Sequence, residues 1–193
     1  MNWSFLDDRP VVVAVAGSNG AGKSTFFETH LRHAALPFVN ADALAAELDL
    51  PAYDAAQLAD AIRRGLLRRS ESFIFETVFS DRTGEKLRFL GDAVAAGYTV
   101  VLCFIGISNA AVSQERVSIR VASGGHDVPD KKLTARFPRT LANLHTGMRT
   151  LPHVLVFDND DLRRPYRLVA ALESGVVVER AASVPDWIER LLP

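Results

Sequence analysis

Several features are scarce or missing in this chain of 193 residues, and each absence excludes a class of protein. Cys103 is the single cysteine, so no internal disulfide can form, and its apolar surroundings predict a buried core residue. Basic residues number 22 and acidic residues 23, and the net charge of −1 gives no general attraction to nucleic acid or to an anionic membrane. No apolar run approaches the roughly 20 residues of a membrane-spanning helix. We therefore expect no nucleic acid and no membrane among the partners.

Repeats and linkers are missing as well. The chain has no internal repeat, no low-complexity tract and no linker rich in proline, glycine and serine, so residues 1–193 are expected to form a single domain. A hydrophobic content of 48% is enough for a sizeable core. The opening segment MNWSFLDDRP is acidic and leads into no secretory apolar stretch, which favours a cytoplasmic location.

The most informative segment that the chain does contain is AVAGSNGAGKST, at residues 14–25. It fits the phosphate-loop pattern G-x-x-x-x-G-K-[ST], with a β-branched apolar run before it and helical spacing after it. Glycines let successive backbone N–H groups turn inward around a polyphosphate, and the following helix directs its positive end at the same anion. Lys23 is predicted to reach the β and γ phosphates, and the Ser24 hydroxyl to bind Mg²⁺. The predicted nucleotide-binding residues are Gly17, Ser18, Asn19, Gly20, Ala21, Gly22, Lys23, Ser24 and Thr25.

Strands and helices alternate along the rest of the chain. This alternation predicts an α/β fold with a parallel sheet that helices cover on both faces. Ligands of such sheets bind beyond the carboxyl ends of the strands, so polar residues at those ends are the site candidates. The predicted strands are 10–16, 37–40, 72–76, 98–105 and 153–157, with a closing hairpin of 167–172 and 175–180. The predicted helices are 25–31, 42–48, 53–69, 81–96, 109–122, 130–148 and 185–192.

Two carboxylates follow predicted strands at that edge. Asp42 can accept a proton from an attacking hydroxyl, but an aspartate before a helix is equally suited to cap it. Glu76 ends an apolar run as a Walker B acid does, and it can hold Mg²⁺ through water or hydrogen-bond a substrate hydroxyl. Its alternative interpretation is simply the polar end of a strand.

Arg116 and Arg120 lie four residues apart and therefore share one face of a predicted helix. They form either a solvated face or the basic side of a helical lid at about 109–150, which would neutralise charge on a transferring phosphoryl group. His126 either caps or bridges this segment or contacts substrate or nucleotide. Pro138 predicts a kink or a break in the helix that follows.

Several short segments occur in a specific order along the chain: AGSNGAGKST, VNAD, FETVFS, FIGIS and RVSIRVASGGHDVP followed by KLTARFPRTLANL. Together these segments resemble the zeta-toxin family of P-loop kinases. The resemblance covers about residues 10–160, and it implies the P-loop NTPase fold, an adenylate-kinase-like three-layer α/β/α sandwich. It also implies transfer of the γ-phosphate of ATP, with Mg²⁺, to a hydroxyl of UDP-N-acetylglucosamine or a similar metabolite.

Roles for individual residues follow from the same resemblance. Asp42 matches the proton-accepting aspartate of the family, and the two arginines match those that close on the phosphates. No antitoxin partner can be inferred from these residues. The implied catalytic set is Asp42, Lys23, Arg116 and Arg120, the substrate-binding set is Asp42, Glu76 and Thr77, and the metal residue is Ser24.

Other interpretations stay open at this point. An antibiotic or other metabolite phosphotransferase would use the same aspartate on a different hydroxyl. A non-catalytic ATP-binding module would give the two carboxylates and the arginines no shared task, and a GTPase is disfavoured because N-K-x-D is absent. The roles of Arg136 and Arg139 are not assigned. The basic residues Arg63, Arg64, Arg68 and Arg69 are interpreted as solvated helix surface.

Overall fold

The computed structural model describes residues 4–124 and 127–193, and its strands form one sheet. The strands are β1 Val11–Ala16, β2 Phe38–Val39, β3 Phe73–Thr77, β4 Thr99–Gly106, β5 His153–Asp158, β6 Arg167–Glu173 and β7 Val176–Arg180. The α-helices are α1 Lys23–Phe26, α2 Ala41–Leu48, α3 Ala52–Arg68, α4 Glu85–Ala95, α5 Ala110–Ala122, α6 Asp130–Thr150 and α7 Asp186–Glu189. A π-helix at Phe27–Leu31 continues α1, and short 3-10 helices lie at Ser4–Leu6 and Arg32–Ala34.

The sheet has the strand order β2-β3-β1-β4-β5-β6-β7. Pairing is parallel from β2 through β5, whereas β6 and β7 are antiparallel additions at one edge. The predicted α/β fold with a parallel sheet is confirmed, and so is the closing hairpin.

Helices cover both faces of this sheet. Alternate residues of β1 belong to two separate apolar clusters, one on each face, and all six are fully buried. One cluster includes Leu66 of α3, Leu90 of α4 and Leu144 of α6, and the other includes Phe26 of α1. The three-layer sandwich is therefore confirmed, and burial on both faces explains the unbroken apolar run of β1. Cys103 is buried as predicted, and burial raises the pKa of its thiol.

Three helix predictions are corrected. Helix α4 begins at Glu85 rather than 81, because the left-handed Gly84 ends the preceding turn and Asp81 accepts a hydrogen bond from the Glu85 amide. Helix α7 has only four residues rather than 185–192. Of the kink or break predicted at Pro138, the break does not occur, since α6 continues through it. Pro138 is exposed, so solvent can reach the carbonyl that loses its helical hydrogen bond.

The carboxyl ends of the central strands set the position of the site. Strand β3 pairs in parallel with both β1 and β2, so the loops that follow these three strands leave the same edge of the sheet. Among the described residues, none of the helices combines the length and apolar character that crossing a membrane requires.

Candidate active site

The loop after β1 has the backbone that the phosphate-loop motif predicts. Gly17, Gly20 and Gly22 have φ angles of +148°, +73° and +92°, which side-chain-bearing residues rarely adopt. Lys23 opens α1, only 6% of its side chain is exposed, and its ammonium donates to the Ser18 carbonyl at 3.0 Å. A pocket of about 270 Å³ opens in front of this loop, and we call it the loop pocket. Its lining residues are Gly20, Gly22, Lys23, Ser24, Thr25, Glu76, Arg116 and Arg120.

Two residues that the sequence analysis missed hold the loop from behind. Asn159 donates from Nδ2 to the Ala21 carbonyl at 2.8 Å, and the Tyr166 hydroxyl donates to the Gly22 carbonyl at 2.9 Å. A Cβ on Gly22 would lie 2.7 Å from Asn159 Nδ2 and 2.9 Å from the Tyr166 hydroxyl oxygen, so a larger residue there would displace these two side chains. Asn159 directly follows β5, and the strand-end rule could have identified it.

Glu76 joins the loop to the neighbouring strand end. The Ser24 hydroxyl donates to Glu76 Oε2 at 2.7 Å, and Asn40 Nδ2 donates to the same oxygen at 2.9 Å. Lys23 Nζ lies 3.6 Å from Glu76 Oε1. The structure thus brings together the predicted magnesium residue, phosphate lysine and substrate-side glutamate.

Asn40, and not Asp42, caps helix α2. The Asn40 side-chain oxygen accepts hydrogen bonds from the backbone N–H of Asp42 at 2.8 Å and of Ala43 at 3.2 Å. The helix-cap interpretation of Asp42 is therefore wrong. Asp42 lies in the first turn of α2 and is exposed.

The side chain of Asp42 lines a second pocket, of about 160 Å³, which we call the strand-end pocket. This pocket shares Glu76 with the loop pocket. Thr77 also lines it, and the Thr77 hydroxyl accepts a hydrogen bond from the Phe79 amide at 3.1 Å, which fixes the turn after β3. The complete lining is Asn40, Ala41, Asp42, Ala56, Arg63, Glu76, Thr77, Val78 and Lys86.

The two predicted lid arginines differ in their contacts. Arg116 donates to the backbone carbonyls of Asn159 and Asp160, both at 2.9 Å, and so ties α5 to the loop after β5. Arg120 lies one turn further along α5 and is exposed at the loop pocket. Their roles towards phosphate stay predictions, and His126 lies outside the described residues.

Arg63 is not solvated surface, so the interpretation of the basic helix is wrong at this position. Arg63 is 4% exposed, whereas Arg64 beside it is exposed as predicted. The buried residues of α3 are Ala55, Ala59, Arg63 and Leu66, one stripe at helical spacing. That spacing is the sequence signal that could have placed Arg63 inside.

The buried guanidinium of Arg63 lies against two aromatic rings and one carboxylate. Its central carbon is 5.1 Å from the ring centroid of Phe75 and 5.9 Å from that of Phe89, within cation–π range. Its Nη2 donates to Asp60 Oδ1 at 2.9 Å. Burial lowers the pKa of Arg63, and the hydrogen bond and negative charge of Asp60 oppose that shift. The result is a fixed cation in the wall of the strand-end pocket.

The oxygen atoms of Ser24 and Glu76 suit a magnesium ion. Mg²⁺ prefers hard oxygen ligands and, in phosphate-binding sites, takes only one or two from the protein while water and phosphate supply the rest. A hydroxyl and a carboxylate 2.7 Å apart beside the phosphate loop meet that requirement. The described residues contain no group of three or more His, Cys, Asp or Glu side chains placed to hold a metal by themselves.

Residues 12–137 match the AAA domain family AAA_33. The matched residues make up more than half of the chain. No curated protein matches the chain with statistical significance.

Several solved structures share the fold. A chain of the AvrRxo1-ORF1:ORF2 complex, crystallised with ATP, aligns over 90% of this chain with 18% identity and a TM-score of 0.70. The PezAT chromosomal toxin–antitoxin system of Streptococcus pneumoniae aligns over 95% of this chain and 77% of its own, with 11% identity and a TM-score of 0.59. A Chloroflexus aurantiacus protein aligns over 81% of this chain and 91% of its own, with 19% identity and a TM-score of 0.58. The fold implied by the sequence resemblance is confirmed by these likenesses.

The alignment covers 62% of the AvrRxo1 complex chain. The chain therefore spans less than two thirds of the length of that relative.

Proposed function

The chain belongs to the AAA domain family of P-loop proteins, and on that premise we propose that it is an ATP-dependent small-molecule kinase. The γ-phosphate of ATP passes to a hydroxyl of a sugar nucleotide or a similar metabolite. The observation that carries this proposal is that two pockets meet at Glu76, one lined by the phosphate loop and the other by Asp42.

The loop pocket supplies the groups that ATP phosphates need. Backbone N–H groups of the glycine loop and the ammonium of Lys23 act on the β and γ phosphates. Ser24 and Glu76 would hold Mg²⁺, which neutralises phosphate charge when it is bound. The ATP in the AvrRxo1 complex supports the choice of nucleotide.

The presence of Asp42 in the lining of the strand-end pocket supports its role as the proton acceptor. The hydroxyl oxygen attacks the γ-phosphorus, the bond to the β–γ bridging oxygen breaks, and ADP leaves. Asp42 takes the hydroxyl proton, while Glu76 and Thr77 orient the acceptor. Because Asn40 caps α2, the carboxylate of Asp42 is available for this task.

Arg120 is the candidate for stabilising charge on the transferring phosphoryl group. It is exposed at the loop pocket, on the helix that packs against the phosphate loop through the Ser113 hydroxyl and the Asn19 carbonyl, 2.7 Å apart. Arg116 supports the same region from the loop after β5. An antitoxin partner is a property of the PezAT system, and we do not extend it to this chain.

A screen of metabolites tests the proposal directly. A pool of cytosolic metabolites is incubated with the protein, ATP and Mg²⁺, and mass spectrometry detects compounds that gain one phosphoryl group. We expect at least one such product with the wild-type chain and none with Lys23→Ala. ATP binding without any phosphorylated product would instead support a non-catalytic ATP-binding module.

A further inference from the structure

Three cations share one carboxylate beside the strand-end pocket. Asp60 Oδ1 lies 2.9 Å from Arg63 Nη2 and 3.7 Å from Lys86 Nζ, and Asp60 Oδ2 lies 2.8 Å from Arg64 Nε. Glu85 lies 3.9 Å from both Arg64 and Lys86, and the negative charge of Asp92 also acts on Arg64. Arg64 therefore has more acidic neighbours than Arg63, for which Asp60 is the hydrogen-bonded partner.

Only part of this cluster lines the pocket. Arg63 and Lys86 line the strand-end pocket, whereas Asp60 and Glu85 line a neighbouring depression that also includes Lys86. A molecule in the strand-end pocket is thus in contact with the two basic residues, and Asp42 and Glu76 are the acidic residues of the same lining.

Burying the guanidinium of Arg63 carries a desolvation cost that a purely structural position would not require. The side chain is 5% exposed, and within the described part of the chain its buried Nε has no hydrogen-bond partner. An apolar side chain on the buried stripe of α3 would avoid that desolvation cost, and such replacements of buried ions are often neutral or stabilising. The rings of Phe75 and Phe89 instead hold the guanidinium in place at the pocket wall.

The strand-end pocket carries opposite charges in different parts of its lining. Asp42 comes from the first turn of α2 and Glu76 from β3, whereas Arg63 and Lys86 come from α3 and α4. We propose that the acceptor is a hydroxylated compound with an anionic group, a carboxylate or a phosphate, which Arg63 and Lys86 bind while its hydroxyl faces Asp42. This inference rests on the proposed kinase function and names the chemical class of its acceptor. The pocket volume of about 160 Å³ suits a small compound or the anionic end of a larger one.

Binding without turnover tests this inference. The loop pocket is first filled with Mg²⁺ and a non-hydrolysable ATP analogue, so that added anions cannot occupy the phosphate loop. Calorimetry or NMR titration then compares glycerol 3-phosphate, glycerate and glycerol, which are a phosphate, a carboxylate and a neutral alcohol of similar size. We expect at least one anion to bind about tenfold or more tightly than glycerol, and the stronger anion identifies the group.

Matched variants test whether Arg63 and Lys86 bind the anion. Arg63→Met and Lys86→Met should each weaken that anion about tenfold or more and leave affinity for the ATP analogue unchanged. Arg64→Met is the control, because Arg64 shares Asp60 but does not line the pocket. If Arg63→Met does not fold, Lys86→Met and the charge-conserving Arg63→Lys carry the comparison.

Two results would overturn the inference: glycerol binding as tightly as both anions, or anion binding that survives both methionine variants. Neither result affects the kinase proposal, which the metabolite screen tests independently. Conversely, anion binding in a protein that yields no phosphorylated product would contradict the kinase proposal and leave the anion site in place.

Discussion

The loop pocket and the strand-end pocket meet at Glu76, yet different parts of the chain build them. The loop pocket depends mostly on backbone: a Cβ on Gly17 would lie 2.2 Å from the Ile105 carbonyl oxygen, and one on Gly22 would lie 2.7 Å from Asn159 Nδ2. The strand-end pocket depends on side chains from β3, α2, α3 and α4, and α2 has no fully buried residue. The first pocket thus tolerates little change, whereas the second can change its acceptor by side-chain substitution within the same fold.

The largest effect should come from Lys23 in the loop pocket. Lys23→Ala removes a cation from the γ-phosphate, and we expect turnover to fall about a thousandfold. The melting temperature should change little, because among the described residues Lys23 has one hydrogen bond and one ion pair to lose. Turnover is measured with the acceptor from the metabolite screen. Wild-type turnover in this variant would contradict the assignment of the loop pocket to ATP.

The next effect separates the two lid arginines. Arg120→Ala should lower kcat about a hundredfold with little loss of ATP affinity, because this side chain is expected to act on charge in the transition state. Arg116→Ala should lower the melting temperature, since it removes two hydrogen bonds to the loop after β5. An equal loss of kcat and of ATP affinity in Arg120→Ala would assign Arg120 to ground-state nucleotide binding.

A backbone effect comes third. Gly22→Ala should destabilise the chain by about 1–3 kcal/mol and weaken ATP binding, because φ is +92° and the new methyl group meets Asn159 and Tyr166. Gly91→Ala is the matched control. Gly91 lies on the exposed side of α4 with open space around it, so alanine there should stabilise by about 0.5–1 kcal/mol. Chemical denaturation measures the free energy of unfolding of both variants. Equal values for Gly22→Ala and Gly91→Ala would contradict the close packing around Gly22.

The smallest effect is expected from the hydrogen bond between Tyr166 and the phosphate loop. Tyr166→Phe removes the hydrogen bond to the Gly22 carbonyl and keeps the ring that packs edge-on against Phe26. We expect about 1 kcal/mol of lost stability and an ATP affinity that falls by less than about tenfold. Unchanged stability and ATP affinity would show that Asn159 alone holds the loop.

The comparison of the two pockets also explains what the sequence could predict. The phosphate loop is recognisable because its requirements are local: glycines, one lysine and one hydroxyl follow one another within a single strand–loop–helix unit. The alternation of buried strands and helices likewise predicts the order of the elements. A break at Pro138 could not be excluded from the sequence, because exposure, which makes a helical proline tolerable, cannot be read from one residue.

The strand-end pocket was only partly predictable, because long-range pairing assembles it. Asp42 and Glu76 were found by their positions after strands, but the choice of cap between Asn40 and Asp42 required the geometry. Arg63 was assigned to the surface because helical geometry spreads the four arginines over more than one face and the net charge does not favour nucleic acid, although its helical spacing from Ala59 places it in the buried stripe. A basic residue can therefore be buried where aromatic rings and a carboxylate surround it.

The central claim is that Asp42 receives the proton of the acceptor hydroxyl, and the turnover of Asp42→Asn tests it most directly. Asparagine keeps the shape of the side chain and loses the basic site, and Asn40 still caps the helix. We predict a melting temperature and ATP affinity close to wild type and phosphoryl transfer slowed at least about a hundredfold. Asn40→Ala is the control, which should lower the melting temperature. Transfer by Asp42→Asn at close to the wild-type rate would contradict the claim.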